Sequence, residues 1–195
     1  MIWRAASGVD SSLKFLDLVR TRQSVRRYTD RPVSRDAIDR CLEAARLAPS
    51  ACNSQPWSFV VIDDPRTLKQ VSEKAFSGIY RMNQWAATAP VLIVVITEKS
   101  KYYTTLGGQV RDTRYNLIDI GIAGEHLALQ AAEEGLGACW IGWFDEKALK
   151  RELGIPRGKK TDVVITLGYP ADERLREKQR EPLNAIRGYF EPPKG

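Results

Sequence analysis

The sequence predicts an α+β fold, and three observations indicate it. Helical and strand-like patterns mix along the 195 residues without the strict strand–helix–strand order of a doubly wound sheet. Residues 91–96 (VLIVVI) form a continuous β-branched run, as expected for a strand buried on both faces. Residues 114–134 predict a long helix that is apolar on nearly every side and therefore needs cover on nearly every side. In a chain of this size, a partner subunit is an expected cover.

Apolar spacing and capping residues predict the elements of the N-terminal half. A first helix is predicted over residues 13–22. Ser34 is placed to cap a second helix, which runs to about residue 48 and ends before Pro49. Residues 57–62 (WSFVVI) predict a strand, and a further helix followed by a loop is predicted from residue 65.

The C-terminal half begins with a segment in which the apolar residues follow neither a helical nor a strand period. Residues 98–113 are therefore predicted to form a lid or binding loop. Strands are predicted at 138–143 (ACWIGW) and 163–167, with a short helix between them that Asp145 caps. We expect one domain over residues 1–195, in which 1–12 form an N-terminal extension and 171–195 a C-terminal arm.

Composition argues against several classes of protein. No apolar run approaches the roughly 20 residues that span a bilayer, and the start (MIWRAASGVD) lacks a signal-peptide pattern. Cys41, Cys52 and Cys139 include no C-x-x-C pair, which disfavours a disulfide framework or zinc site and predicts a reducing, cytoplasmic location. The single histidine, His126, is expected in the core, and no metal site is predicted. Chemistry is therefore expected to reside on a bound organic cofactor.

The formal net charge of +6 concentrates in two segments at opposite ends of the chain, residues 20–35 and 174–180. Arg22, Ser24 and Arg26 alternate, so in extended backbone they would project to one side and suit a phosphate monoester. The two segments are either unrelated solvated faces or converge on one phosphate. Nucleic acid is not expected as a partner, because aromatic residues do not interleave with the basic runs.

Residues 48–59 (APSACNSQPWSF) concentrate prolines, amides and hydroxyls between a helix and a strand. They form either a connector held by turns or a binding loop in which Asn53 and Gln55 match an amide-like ring edge. The spacing G-x-G-x-x-W from Gly135 follows a helix and opens a strand, which is the wrong order for a dinucleotide fingerprint. Gly142, between two tryptophans, would let the backbone approach a flat ligand.

Taken in order, these segments resemble the FMN-dependent nitroreductase family over about residues 14–190. The matching features are RTRQSVRRY, APSACNSQPWSFVV, residues 119–145, LGIP at 153–156, LGYP at 167–170 and Lys178-Gln179-Arg180. The resemblance implies a nitroreductase-like fold, with a mixed central sheet flanked by helices. It also implies an intertwined homodimer with two FMN sites at its interface.

The resemblance also implies which residues contact the flavin. Its phosphate, ribityl chain and pyrimidine edge would be bound by Arg22, Gln23, Ser24 and Arg26, and Lys178 and Arg180 would complete the phosphate clamp. The partner subunit would contribute Pro49, Ser50, Ala51, Asn53 and Gln55. Ile141, Gly142 and Trp143 would lie near the reactive face. The lid region, residues 98–113, departs from the family patterns, and Tyr102, Tyr103 or Tyr115 is our own candidate for a substrate contact over the flavin. Gly142-Trp143 departs from the acidic residue and glycine of some members, so contacts at the flavin N5 are expected to differ.

The activity that the resemblance implies is transfer of reducing equivalents from NADH or NADPH, through flavin N5, to a nitroaromatic, quinone or similar acceptor. No catalytic side chain is expected. The alternatives are a specialised member of the same fold, of the dehalogenase, flavin-cleaving or azoline oxidase type, or an FMN-binding protein without turnover.

Overall fold

The computed structural model describes residues 15–98, 113–172 and 174–191, and their elements agree closely with the predicted order. The N-terminal extension and most of the 98–113 lid lie outside these ranges. The helices are α1 (Phe15–Thr21), α2 (Arg35–Arg46), α3 (Pro65–Ala75), α4 (Tyr115–Glu133), α5 (Glu146–Glu152) and α6 (Leu183–Ile186). The strands are β1 (Trp57–Ile62), β2 (Val91–Thr97), β3 (Gly137–Ile141) and β4 (Lys160–Gly168), and 3-10 turns occupy Ala51–Asn53 and Gly78–Thr88.

The four strands form one sheet in the order β1-β2-β4-β3, with helices on both faces. All three strand pairs are antiparallel, so the mixed character expected of the sheet is confined to a parallel bridge between Ser24 and Ala138 at the edge of β3. Alternate residues of β2 pack into different cores: Ile93 lies with α2 and α4, and Val94 lies with α3 and α5. This arrangement confirms that β2 is buried on both faces.

Capping residues fix the helix starts where the sequence predicts them. Ser34 Oγ accepts a hydrogen bond from the Ala37 amide at 3.3 Å, and Asp145 Oδ1 accepts one from the Ala148 amide at 2.9 Å. A capping side chain of this kind contributes about 1 kcal/mol to stability. These contacts confirm the predicted starts of α2 and α5.

Helix α4 is the scaffold on which the candidate site is built. One face packs on α2 and β3, and Ala123, Leu127 and Ala131 of this face are almost fully buried. Toward its start, however, Leu117 and Ile118 remain exposed. The cover that the sequence analysis expected for α4 is therefore incomplete within one chain.

Strand β3 is shorter than predicted at its C-terminal end. Its pairing with β4 stops at Ile141, opposite Val164, so Gly142 and Trp143 leave the sheet instead of extending it to residue 143. Within the described ranges, no helix is both long and apolar enough to cross a membrane, and no cluster of metal-ligating side chains occurs.

Candidate functional site

The first basic segment lies along the free edge of β3. The Val25 amide donates a hydrogen bond to the Ala138 carbonyl at 3.1 Å, next to the parallel bridge at Ser24. This close approach depends on Gly137, because a Cβ there would lie 2.4 Å from Val25 Cγ2. Carbon atoms pack at about 3.5–4.0 Å, so Gly137 is required for the segment to dock. Ser24 and Val25 are thereby held along β3, whereas the Arg22 amide still donates a helical hydrogen bond to the Leu18 carbonyl at 2.9 Å.

The second basic segment folds back onto the first. Gln23 Oε1 accepts hydrogen bonds from the Arg176 amide at 3.3 Å and from Arg176 Nε at 3.2 Å. Arg176 also donates to the Ser24 carbonyl, and Lys178 Nζ donates to the Arg22 carbonyl. The two basic segments therefore lie against each other in the fold, and a phosphate bound between them stays a prediction.

The converged cations carry an excess of positive charge. We refer to Arg22, Lys178 and Arg180 as the clamp. The pKa of Lys178 is lowered by burial and by the neighbouring guanidinium groups of Arg22 and Arg180, and the Glu125 carboxylate opposes this shift. Glu125 lies 3.2 Å from Arg22 Nε in an ion pair. One carboxylate against three clamp cations leaves a net positive charge that suits an anion.

The binding loop predicted around Asn53 has a strained backbone. We refer to residues 50–55 as the strap. Cys52, Asn53 and Gln55 have φ values of 52°, 49° and 46°, a region that residues other than glycine rarely occupy. Each such residue costs on the order of 1–3 kcal/mol and persists only where its surroundings fix it. The Gln55 amide donates to Ser50 Oγ at 2.9 Å, and Gln55 Nε2 donates to Asn53 Oδ1 at 3.0 Å.

A residue that the sequence analysis did not single out holds the strap from outside. Asp119 of α4 is only 3% exposed, and its two carboxylate oxygens accept hydrogen bonds from the Ala51 amide at 3.0 Å and the Ser54 hydroxyl at 3.3 Å. The available signal was an acidic residue within an otherwise apolar helix pattern. The strap is thus attached to the long helix as well as to itself.

The turn after β3 presents its groups toward the 3-10 segment Gly78–Thr88. Ile141 is buried, whereas among the described residues no atom beyond the two chain neighbours of Gly142 lies within 4 Å of the position that a Cβ would take there. The Trp143 indole N–H donates to the Ile79 carbonyl at 3.2 Å, and Asn83 Nδ2 donates to the Trp143 carbonyl at 2.9 Å. Trp143 is therefore fixed in place while remaining 52% exposed.

The other predicted residues are distributed around this arrangement. The Arg26 guanidinium lies over the Trp85 ring at 5.9 Å, and Tyr115 is the half-buried first residue of α4. Arg180 is exposed, and Pro49 is exposed just before the strap. Tyr102 and Tyr103 lie outside the described residues.

Among the described residues, His126, Cys41 and Cys139 do not form an acid–base or nucleophilic centre. His126 is half-buried instead of lying in the core, and its Nδ1 lies 3.2 Å from the Ala44 carbonyl. Burial raises the pKa of the Cys41 thiol to about 12 and also raises that of the Cys139 thiol, so neither favours the reactive thiolate. Cys41 and Cys139 are buried, whereas Cys52 is exposed.

The chemistry of the donor set fits the phosphorylated flavin that the resemblance implies. Forked guanidinium groups and an ammonium match phosphate oxygens, and the clamp supplies both kinds of donor. A cavity of about 160 Å³ lies between the two basic segments, and its lining includes Ser24, Arg26, Arg174 and Arg176 together with the acidic residue Asp172. The polar amides of the strap match a ring edge that both donates and accepts hydrogen bonds.

Comparisons with known proteins agree with this geometry. The profile of the Nitroreductase family matches residues 19–169. A relative from Archaeoglobus fulgidus, provisionally named NADH dehydrogenase/NAD(P)H nitroreductase, is 37% identical over 82% of this chain and 87% of its own length. An iodotyrosine deiodinase from Thermotoga neapolitana is 26% identical over 85% of this chain and 93% of its own.

The solved structures include an FMN-dependent nitroreductase from Clostridium difficile. It is 28% identical to this chain, covers 90% of it with 98% of its own length, and superimposes with a TM-score of 0.67. Both the order of the strands and helices and the sequence match therefore support the same assignment. The chain belongs to the nitroreductase family of oxidoreductases.

Proposed function

We propose that this protein is an FMN-dependent oxidoreductase that takes reducing equivalents from NADH or NADPH and passes them to an electron-poor aromatic or quinone acceptor. The observation that carries the proposal is the convergence of two basic segments, about 155 residues apart in sequence, on one cationic site. That convergence is secured by Lys178 at the Arg22 carbonyl and by Arg176 at Gln23. Cations that lie this close together repel each other, and a bound anion would offset that repulsion.

Each group of residues has a separate task. The clamp binds the phosphate, and Ser24 and Arg26 extend the same donor surface toward the ribityl chain and the pyrimidine edge. The turn at Gly142 lets a flat ring approach the backbone closely, because no side chain occupies the space beside it. FMN, when bound, supplies hydride acceptance at N5 and electron delivery to the acceptor. The protein contributes positioning and electrostatics, and protons come from solvent.

The site requires a second copy of the chain. Within the described residues, large apolar side chains are exposed on α1, on the start of α4 and on the C-terminal arm: Phe15, Leu16, Val19, Leu117, Ile118, Leu183, Ile186, Tyr189 and Phe190. An exposed apolar surface distributed in this way indicates a contact between subunits. We propose a homodimer in which the strap of each subunit contacts the flavin held by the other subunit's clamp.

The experiment that tests the proposal begins with the purified, full-length protein. We expect FMN absorbance after reconstitution, bleaching of that absorbance by NADH or NADPH without oxygen, and its return on addition of a nitroaromatic or quinone. A protein that takes up no FMN would contradict the proposal. Uptake without bleaching by either nucleotide would leave only a binding function.

A reductive dehalogenase is the second candidate. The similarity to iodotyrosine deiodinases, which extends over most of the chain, favours it. The two candidates share the flavin site and differ only in the acceptor. Parallel assays of the reduced protein with a nitroaromatic and with a halogenated tyrosine distinguish them, because a dehalogenase releases halide and a nitroreductase does not.

A further inference from the structure

Asp119 is an unusual residue for its position. It is the one charged side chain that is buried in the parts of the chain that the structure describes. A buried carboxylate is costly unless hydrogen bonds satisfy it, and the hydrogen bonds at both of its oxygens come from the strap. A small apolar residue would fill the same space on α4 without that cost. The carboxylate therefore needs an explanation beyond packing.

The strap supplies that explanation. Three of its residues occupy the left-handed region of backbone space, and such a conformation is lost unless neighbouring groups fix it. Asp119 bonds Ala51 and Ser54, which flank the first two of the three strained residues, Cys52 and Asn53. Hydrogen bonds to an ionised carboxylate are about twice as strong as bonds between neutral groups. The two bonds hold the strained turn at both ends.

We infer that Asp119 is a positioning residue for flavin binding: it holds the strap in its binding conformation before the cofactor arrives. This inference rests on the proposed function. A strap ordered in advance loses less conformational freedom when it closes on a ligand, and the ligand is bound more tightly for that reason. In this proposal Asp119 acts through its hydrogen bonds to Ala51 and Ser54 and not through a contact with the flavin.

The same helix also reaches the clamp, which makes a sharp comparison possible. Glu125 pairs with Arg22 and lies six residues after Asp119. Six residues turn an α-helix by about 600°, so the two carboxylates leave α4 on different faces. Asp119 acts on the strap and Glu125 on the clamp. Loss of the strap should weaken FMN and riboflavin alike, whereas a change at the clamp should weaken FMN alone, because riboflavin has no phosphate.

The test compares Asp119→Asn with Asp64→Asn in the full-length protein. Asp64 caps α3 through the Thr67 amide, so its replacement is the same chemical change at a capping position away from the strap. We expect Asp119→Asn to raise the Kd for both FMN and riboflavin by at least about tenfold, the loss expected for one charge-assisted hydrogen bond. We expect Asp64→Asn to leave both constants within about twofold of the wild type.

A second measurement needs no flavin. Amide hydrogen exchange of the flavin-free protein should show protection at Ala51 and Gln55 in the wild type and loss of that protection in Asp119→Asn. Exchange in β2 should not change. Unchanged strap exchange in Asp119→Asn, or flavin affinities equal to those of Asp64→Asn, would overturn the inference.

Two further outcomes are also decisive. If Asp119→Asn does not fold, Ser54→Ala removes one of the two bonds without placing a new group in the core. The inference is supported if Ser54→Ala loses strap protection and flavin affinity, to a smaller extent than expected for Asp119→Asn. It is overturned if the strap of Ser54→Ala exchanges at the wild-type rate. If the wild type itself binds no FMN, the proposed function fails, while the exchange measurement still decides whether Asp119 holds the strap.

Discussion

Replacing Gly137 with alanine tests whether the docked first segment creates the phosphate site. The new Cβ would lie 2.4 Å from Val25 Cγ2, 2.6 Å from Val25 Cβ and 2.9 Å from Val25 Cγ1. Restoring ordinary contacts requires a shift of about 1 Å, because carbon atoms pack at about 3.5 Å or more. A shift of that size is enough to break the 3.1 Å bond from the Val25 amide to the Ala138 carbonyl.

The expected cost follows from this overlap. Overpacking of this kind lowers the free energy of unfolding by about 1–3 kcal/mol. Because the clamp residue Arg22 precedes the displaced segment, we expect the Kd for FMN to rise by about tenfold or more and the Kd for riboflavin to change less. Thermal unfolding and flavin fluorescence titrations measure the two effects.

Gly121→Ala is the matched control. Gly121 lies within α4, and nothing lies within 4 Å of the position that its Cβ would take. Alanine should therefore be neutral or stabilising there, since glycine inside a helix costs up to about 1 kcal/mol. The reasoning is refuted if Gly137→Ala keeps wild-type stability and FMN affinity, because the segment would then not depend on its contact with β3.

Three further predictions concern charge and assembly. Because the pKa of Lys178 is lowered, FMN affinity should be highest below that pKa and fall as the pH rises through it toward the usual value of 10.5. Riboflavin affinity should stay level over the same range. Lys178→Arg should remove the fall in FMN affinity. Burial alone would raise the pKa of Glu146, but hydrogen bonds from Lys160 and its neighbours lower it to about 2. The stabilisation that Glu146 contributes is therefore present above its usual pKa of 4.5 and lost as the pH falls toward 2. The free energy of unfolding of Glu146→Gln, measured by denaturation, should therefore differ from that of the wild type at neutral pH and converge with it in acid. Tyr189→Ser with Phe190→Ser should raise the dimer dissociation constant in sedimentation experiments without lowering the monomer's melting temperature, because both side chains are exposed in the single chain.

Local patterns in the sequence predict most of the fold, because the physics behind them is local. Ser34 and Asp145 cap helices that begin one residue later, and the β-branched run of β2 is buried by the helices on both sides. The sequence predicts the end of β3 two residues too far along the chain. β4 continues beyond Val164, the partner of Ile141, to Lys160, so pairing does not stop for lack of a partner strand. Trp143 instead bonds the Ile79 carbonyl and the Asn83 side chain, and nothing in ACWIGW indicates these distant contacts.

In the candidate site, too, the sequence predicts the local features and not the contacts between distant residues. The residue types at Arg22 and Lys178 suggest an anion, but their convergence across about 155 residues follows only from the family resemblance and the fold. The hydrogen bonds from the strap to Asp119 join positions 65 and 68 residues apart, and no periodic pattern marks such a pair. The partner proposed here is a second copy of this chain, so the resemblance names the strap residues that it would contribute, but no pattern in the sequence indicates that they act across the interface.

The most direct test of the two-subunit site is complementation in mixed dimers. One subunit would carry Arg22→Gln and Lys178→Gln, and the other Asn53→Ala and Gln55→Ala, so that neither homodimer retains FMN. If each clamp works with the partner's strap, a mixed dimer contains one site with both parts intact, and FMN should return to half of the sites. If clamp and strap act within the same subunit, both sites of the mixed dimer are damaged. Mixed dimers without FMN would contradict the account.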